Sequence, residues 1–215
     1  MEKRKIWLLV TLVLLVFITF IIYRKRQAPV TEDRFLFGTL IRITAYGPGA
    51  SAAVVKAYAE MERIHRLTSQ TQGIIAHINE QAGKTRVRVE EDLYRFLQTV
   101  FRMAEASDGY FNPVIGALVE LWDFDYEGKG RIPSAQEIKA VLPLTRRNQA
   151  VMDDETQTVY LKQPGMKLEL SGVAKGYAID RAWEILKQAG VTGALINGGE
   201  SSIRVLGERP CGGQW

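Results

Sequence analysis

The chain has 215 residues, room for one domain of ordinary size with a buried core. Hydrophobic residues make up 47% and charged residues 24%, which excludes a disordered chain or a low-complexity fibre. There are 28 basic and 24 acidic residues, a net +4, but residues 1–26 hold six of the bases and one acid, leaving 22 against 23 elsewhere, so no nucleic-acid partner is expected.

From Ile6 to Tyr23 the sequence reads IWLLVTLVLLVFITFIIY, with two Thr as its clearly polar members. At about 1.5 Å rise per residue this run nearly spans a hydrocarbon core of about 30 Å, and Trp7 and Tyr23 stand where interfacial aromatics belong. A cleaved signal peptide has a shorter apolar region followed by small residues, and Tyr23-Arg24-Lys25-Arg26 offers neither. Residues 1–26 are therefore expected to be an uncleaved membrane anchor in contact with the lipid bilayer, its helix covering 6–23. Three basic residues on each flank leave the orientation open. The single cysteine, Cys211, excludes a disulfide framework and a cysteine metal cluster.

Residues 27–34 read as a polar linker, and 35–215 as the folded part. Thr39 to Ala45 alternates as a strand, broken by Tyr46-Gly47-Pro48-Gly49. Val54, Val55, Tyr58, Met61, Ile64 and Leu67 recur at helical spacing and predict a helix over 50–67. Leu93, Phe96, Leu97, Val100, Phe101 and Ala104 predict another over 91–106, stopped by Ser107-Asp108-Gly109. A third is expected to start at Pro113. Ser134 and Glu137 have capping-box spacing for a short helix over 135–141. Residues 157–161 and 167–170 read as short strands. Residues 173–189 read as a helix with Tyr177, Ala178, Arg181, Ala182, Ile185, Leu186 and Ala189 on its packing side. Ala194–Asn197 and Ser202–Leu206 read as strands. Strands and helices mix without strict βαβ alternation, which predicts an α+β fold with a mixed sheet and packed helices.

Two histidines, His65 and His77, lack metal-ligand spacing, and no nucleophile elbow, Walker loop or dinucleotide fingerprint occurs. Two segments carry candidate chemistry. In Asp108-Gly109-Tyr110-Phe111-Asn112-Pro113 a turn opens a helix whose free N–H groups could face a ligand, with two aromatic faces for stacking; the same residues also suit a corner with its aromatics in the core. In Glu169–Asp180, ELSGVAKGYAID, a strand leads into a helix. Ser171 and Gly172 permit a tight turn, and Gly176 admits a close approach by ligand or backbone. Lys175 falls in the expected first turn, where the helix dipole disfavours a cation by about 0.3–1 kcal/mol. That position suits an anion site, or a solvated lysine that tolerates the penalty. Asn197-Gly198-Gly199-Glu200 is either a phosphate cradle or an ordinary strand turn.

In this order, Phe37-Gly38-Thr39 opening a strand, DGYFNPVIGALVELWDF at 108–124, SGVAKGYAID at 171–180 and NGGE at 197–200 resemble the FAD:protein FMN transferase family, also called ApbE, from about Phe35 to Trp215. The resemblance implies an α+β fold and cleavage of FAD at its pyrophosphate with a divalent cation, usually Mg2+. FMN then joins a Thr or Ser hydroxyl of an acceptor protein and AMP leaves. It also implies a place outside the cytoplasmic membrane, which suits a single-pass anchor. Carried over by position, Phe37, Tyr110, Phe111, Asn112, Glu169 and Lys175 are expected to contact the cofactor, and the Gly172 backbone carbonyl the metal. Three departures stand out. Asn112 and Glu169 occupy positions where the family commonly has Asp, and relatives continue for roughly another hundred residues, carrying a His and the Asp and Thr ligands of the cation. The full-length protein is thus expected to be the transferase, and the 215-residue chain an incomplete domain with little or no activity of its own. The alternative is a membrane-anchored FAD-binding protein without transferase activity.

Overall fold

The computed structural model describes Trp7, residues 12–15, Phe17, and residues 28–123, 130–209 and 215. Most of the expected span 6–23 lies outside the described residues. Among those described, no helix is long and apolar enough to cross a membrane. The architecture is α+β, as expected, but its strands form two sheets in which every pairing is antiparallel, where one mixed sheet was expected. The chain divides into two compact units, Met1–Met61 with Ala178–Trp215, and Glu62–Tyr177.

In the first unit, β1 (Val30–Leu36), β2 (Thr39–Tyr46), β6 (Gly193–Gly198) and β7 (Ile203–Gly207) form a sheet in the order β1-β2-β6-β7. The expected linker at 27–34 is corrected here, because from Val30 onward it is strand, paired with β2 from Val30↔Ala45 to Leu36↔Thr39. Its charged residues hid the strand, since Arg34, Glu32 and Asp33 are tolerated on a sheet edge. Phe37 and Gly38 do not open a strand. They form the two-residue turn between β1 and β2, with φ of +53° and +74°. Ile41, Ile43 and Ala45 of β2 are fully buried, while Leu40 and Arg42 face outward, the two-residue period of a half-buried strand.

Tyr58, on α1 (Ala50–Leu67), is fully buried and its hydroxyl lies 2.6 Å from the Glu32 carbonyl and 2.8 Å from that of Ile41. Tyr58→Phe keeps the ring and removes the donor, so it is expected to cost about 1–2 kcal/mol, read as a lower urea midpoint at unchanged slope. Burial pushes the Tyr58 hydroxyl up from 10 to about 12. The folded chain therefore keeps this proton where the unfolded chain loses it. Stability present below pH 10 falls as the pH rises towards 12, and the variant should flatten that fall.

The second unit holds α2 (Gly73–Glu80), β3 (Val87–Arg88), α3 (Glu91–Ala106), α4 (Gly116–Trp122), α5 (Ala135–Val141), β4 (Ala150–Asp153) and β5 (Thr158–Leu161), with the sheet order β3-β5-β4. The first turns of α6 (Ser171–Gln188) also belong to it. The expected helices at 50–67, 91–106 and 135–141 have these bounds, and Ser134 and Glu137 form the reciprocal capping box. The helix expected at Pro113 starts three residues later. Asn112 Oδ1 accepts the Val114 N–H at 2.9 Å and ties the intervening residues into a turn.

Residues 167–170 belong to no helix and to no sheet. Their backbone groups have other partners. Leu168 N–H donates to Asn79 Oδ1 at 2.7 Å, and its carbonyl accepts Asn79 Nδ2 at 3.1 Å. The Lys167 carbonyl accepts from Gly116 N–H, and Glu169 N–H donates to the Pro113 carbonyl. Met166, Leu168 and Leu170 are all buried, so the alternation that predicted a strand reports true burial. On α6, the buried side chains are Ala174, Ala178, Ile179, Ala182 and Leu186. Ala189, expected to pack, lies just past the helix end and is exposed.

Candidate functional site

The start of α6 collects most of the predicted site residues. The helix begins at Ser171, two residues earlier than the periodicity implied, so Ser171 and Gly172 are helical and do not form a separate turn. Glu169 explains the start. Its Oε1 accepts the Ser171 N–H at 2.8 Å, while the Leu170 carbonyl accepts those of Val173 and Ala174. A carboxylate at this end also suits the helix dipole. Glu169 thus serves the fold as a cap, whatever else it touches.

The early start moves Lys175 to the fifth helical residue. The dipole acts mainly within the first turn, so the penalty inferred from the sequence largely disappears. Lys175 stays three residues from Gly172, on a neighbouring position of the helix surface.

Gly172 and Gly176 are four residues apart and both are exposed, so they lie one above the other on one face. A Cβ at Gly176 would meet no atom within 4 Å. At Gly172 the nearest atom would be Phe111 Cε2, 4.0 Å away. The first two turns of α6 therefore present bare backbone, with the Phe111 ring at one edge. Of the two approaches the sequence left open for Gly176, no backbone takes that place among the described residues, and the face stays accessible to a ligand. Tyr177, beside it, is not available in the same way, because its ring stacks on Phe96 with centroids 4.2 Å apart.

Phe111 is held by the corner at the end of α3. Asp108 and Gly109 turn with φ of +52° and +87°, and the Ser107 hydroxyl accepts the Phe111 N–H at 3.0 Å. Tyr110 is 98% exposed, so its ring is not in the core. Asn112 holds the loop from both ends of its amide. Nδ2 donates to the Thr145 carbonyl at 2.9 Å, and Oδ1 takes the Val114 N–H. An Asp in its place would lack the donor for Thr145.

Phe37 lies in the first unit, half-buried, in the left-handed conformation already described. For a bulky residue this conformation costs about 1–2 kcal/mol. Asn197 and Gly198 end β6, and Gly199 and Glu200 begin the turn to β7. Asn197 Oδ1 accepts the Glu200 N–H at 3.0 Å, and Gly198 N–H bonds the Ser202 carbonyl at 2.8 Å. Two donors of the supposed phosphate cradle are thus already engaged, which favours the ordinary turn. Gly199 is required there: it has φ of +68°, and a Cβ would stand 2.0 Å from Thr39 Oγ1.

Residues 37–215 match the ApbE family. The chain belongs to that family. It is 35% identical over 178 residues to an FAD:protein FMN transferase of Klebsiella pneumoniae (strain 342), covering 80% of this chain and 54% of the relative. It is 30% identical over 198 residues to another from Treponema pallidum (strain Nichols), covering 86% and 53%. The ApbE protein of Thermotoga maritima MSB8 superposes with a TM-score of 0.77 at 30% identity, over 84% of this chain and 60% of that one. A flavin transferase ApbE from Vibrio cholerae shares the fold at a TM-score of 0.78 and 19% identity, over 87% and 62%. The chain spans about half the length of the curated relatives it matches.

The Gly172 carbonyl, carried over as a metal contact, belongs to the first turn of α6 and so to its ladder of backbone bonds. Among the described residues of this ApbE-family chain, no group of three or more His, Cys, Asp or Glu could hold a metal ion. The described carboxylate, imidazole and thiol groups do not by themselves make a divalent-cation site. Sequence reasoning missed Asn79, which pins the segment leading into α6. Its helix, α2, has eight residues and too few turns to show a periodic pattern.

Proposed function

We propose that this chain takes part in protein flavinylation, as the site where FAD is held and its FMN moiety passed to a Thr or Ser hydroxyl of an acceptor protein. The acceptor oxygen attacks the FMN-side phosphorus of the pyrophosphate, a new P–O bond forms, the bridging P–O bond breaks, and AMP departs with the electron pair. The hydroxyl proton passes from the acceptor to solvent water. Such a transfer depends on positioning and on neutralising the phosphates. The observation that carries the reading is the family match over 37–215, joined to the bare Gly172–Gly176 face of SGVAKGYAID beside Phe111. In this reading Phe111 flanks the cofactor, and Lys175 faces the pyrophosphate as a point charge. The resemblance implies Mg2+, and transfer is expected to fail in an assay without it. The apolar run 6–23 anchors the chain to the cell membrane, with the folded part on the extracytoplasmic side.

One observation favours the second reading, an anchored FAD-binding protein without transfer. Asn112 acts as a neutral staple of its loop, with both ends of its amide engaged, at a position where the family commonly has a carboxylate. The two readings part in one experiment. The full chain is incubated with FAD, Mg2+ and a Thr-containing acceptor protein, and the acceptor is weighed by mass spectrometry. A gain of one FMN supports transfer, retention of FAD without that gain supports the binder, and neither result rejects both. Where transfer occurs, Lys175→Ala is expected to lower kcat/KM about a hundredfold, the usual size for removing one preorganised charge contact. An unchanged value would remove Lys175 from the pyrophosphate.

A further inference from the structure

An open cleft of about 630 Å³ in the second unit is lined in part by Gly109 and Asn112, and by none of Phe111, Gly172 and Lys175; the Asn112 amide is engaged with Thr145 and Val114. Its size is that of a small-molecule site. Arg102 of α3 lines it, with Arg146 and Arg147 from the turn after α5, and Glu105, Phe101 and Asn148 complete the principal wall. Outside residues 1–26 the chain is close to neutral, with 22 bases against 23 acids, so three guanidinium groups against one carboxylate is a local concentration.

Two of the arginines are placed in a definite way. Arg102 Nη2 donates to Thr99 Oγ1 at 3.1 Å, one turn back on the same helix. Arg147 is half-buried, and its Nη1 is shut off from solvent with no acceptor among the described residues. An oxyanion in the cleft would meet the guanidinium groups of Arg102, Arg146 and Arg147 that line it. The planar fork of Arg matches phosphate oxygens. Charge decides between oxyanions. The side chains of the wall sum to +2, which a carboxylate half-compensates and a phosphomonoester, about −1.5 to −2 at neutral pH, matches. The Phe101 ring provides an apolar surface for the remainder of such a molecule.

We infer that this cleft binds a small phosphomonoester, its phosphate held by Arg102, Arg146 and Arg147 and its apolar part lying along Phe101. The cleft shares Asn112 with the residues expected to contact the cofactor, so displacement by FAD is among the outcomes the test reads. Calorimetric titration of the full chain with phenyl phosphate tests it, with phenol as the neutral control. Saturable binding of the ester and none of phenol is expected. Arg146→Gln and Arg147→Gln should each weaken binding about tenfold, and Glu105→Gln, which removes the opposing charge, should tighten it. Arg146 is exposed, so its variant keeps the fold, and an unchanged thermal transition checks this. Saturating FAD should leave the affinity for phenyl phosphate unaltered. Absence of binding, equal binding of phenol, indifference to both arginine variants, or competitive displacement by FAD each overturns the inference.

Discussion

Asn79→Ala is expected to destabilise the second unit by about 3 kcal/mol, the largest stability effect of any single side chain considered. Asn79 is 8% exposed, and its amide makes two bonds to one residue, accepting from Leu168 N–H and donating to the Leu168 carbonyl. Truncation leaves both backbone groups buried without partners, and each costs about 1–3 kcal/mol. The removed side chain is small and polar, so lost packing is the lesser term. Asn79→Leu separates the two effects, since it restores volume without the bonds and should lose nearly as much as Ala. If Leu recovers most of the stability, the bonds are not what holds the segment. The consequence reaches the candidate site through Glu169. Leu168 fixes the chain one residue before Glu169, whose carboxylate caps α6 at Ser171. Both variants should therefore weaken FAD binding under conditions where the chain is still folded, measured by flavin fluorescence below the onset of urea unfolding.

What could be read from the sequence was what is local. The helices α1, α3 and α5 were legible to their ends because their apolar spacing and caps lie within them, as with Ser134 and Glu137. β2 and β6 were legible because one face of each is buried. Segment 166–170 shows the limit of the same signal. Alternation reports which side chains are buried, and cannot say whether the backbone bonds a strand or, as here, the amide of Asn79, 89 residues away. β1 was hidden because its partner strand, with Tyr58 beneath it, secures a segment of mostly polar residues. The site divides in the same manner. Gly172, Lys175 and Gly176 stand close in sequence and could be found as a motif. Asn112 looked like a ligand residue, and its bond to Thr145, 33 residues on, shows a structural duty no local pattern encodes. The arginine cleft gave no signal, since Arg102 and the Arg146–Arg147 pair come from separate elements.

Gly176→Ala is expected to act in opposite directions on stability and on flavin binding. For the fold alone the change is favourable. Gly176 lies within α6, a Cβ there meets nothing within 4 Å, and Ala is the better helix former by about 1 kcal/mol. A higher thermal midpoint is therefore expected. If the bare face of α6 receives FAD, the same methyl stands between cofactor and backbone, and misfit of that size costs about 1–3 kcal/mol, or roughly tenfold to a hundredfold in affinity. Gly172→Ala should behave alike, since its Cβ would meet Phe111 at an ordinary 4.0 Å. Gln188→Ala, at the far end of the helix, should leave affinity untouched. The opposite signs make the test discriminating. A change that damaged the fold would lower both quantities, and a glycine with no ligand to accommodate would raise stability alone. The second outcome, a more stable chain that binds FAD as well as before, would place the cofactor elsewhere and leave the glycines of SGVAKGYAID without the role assigned to them.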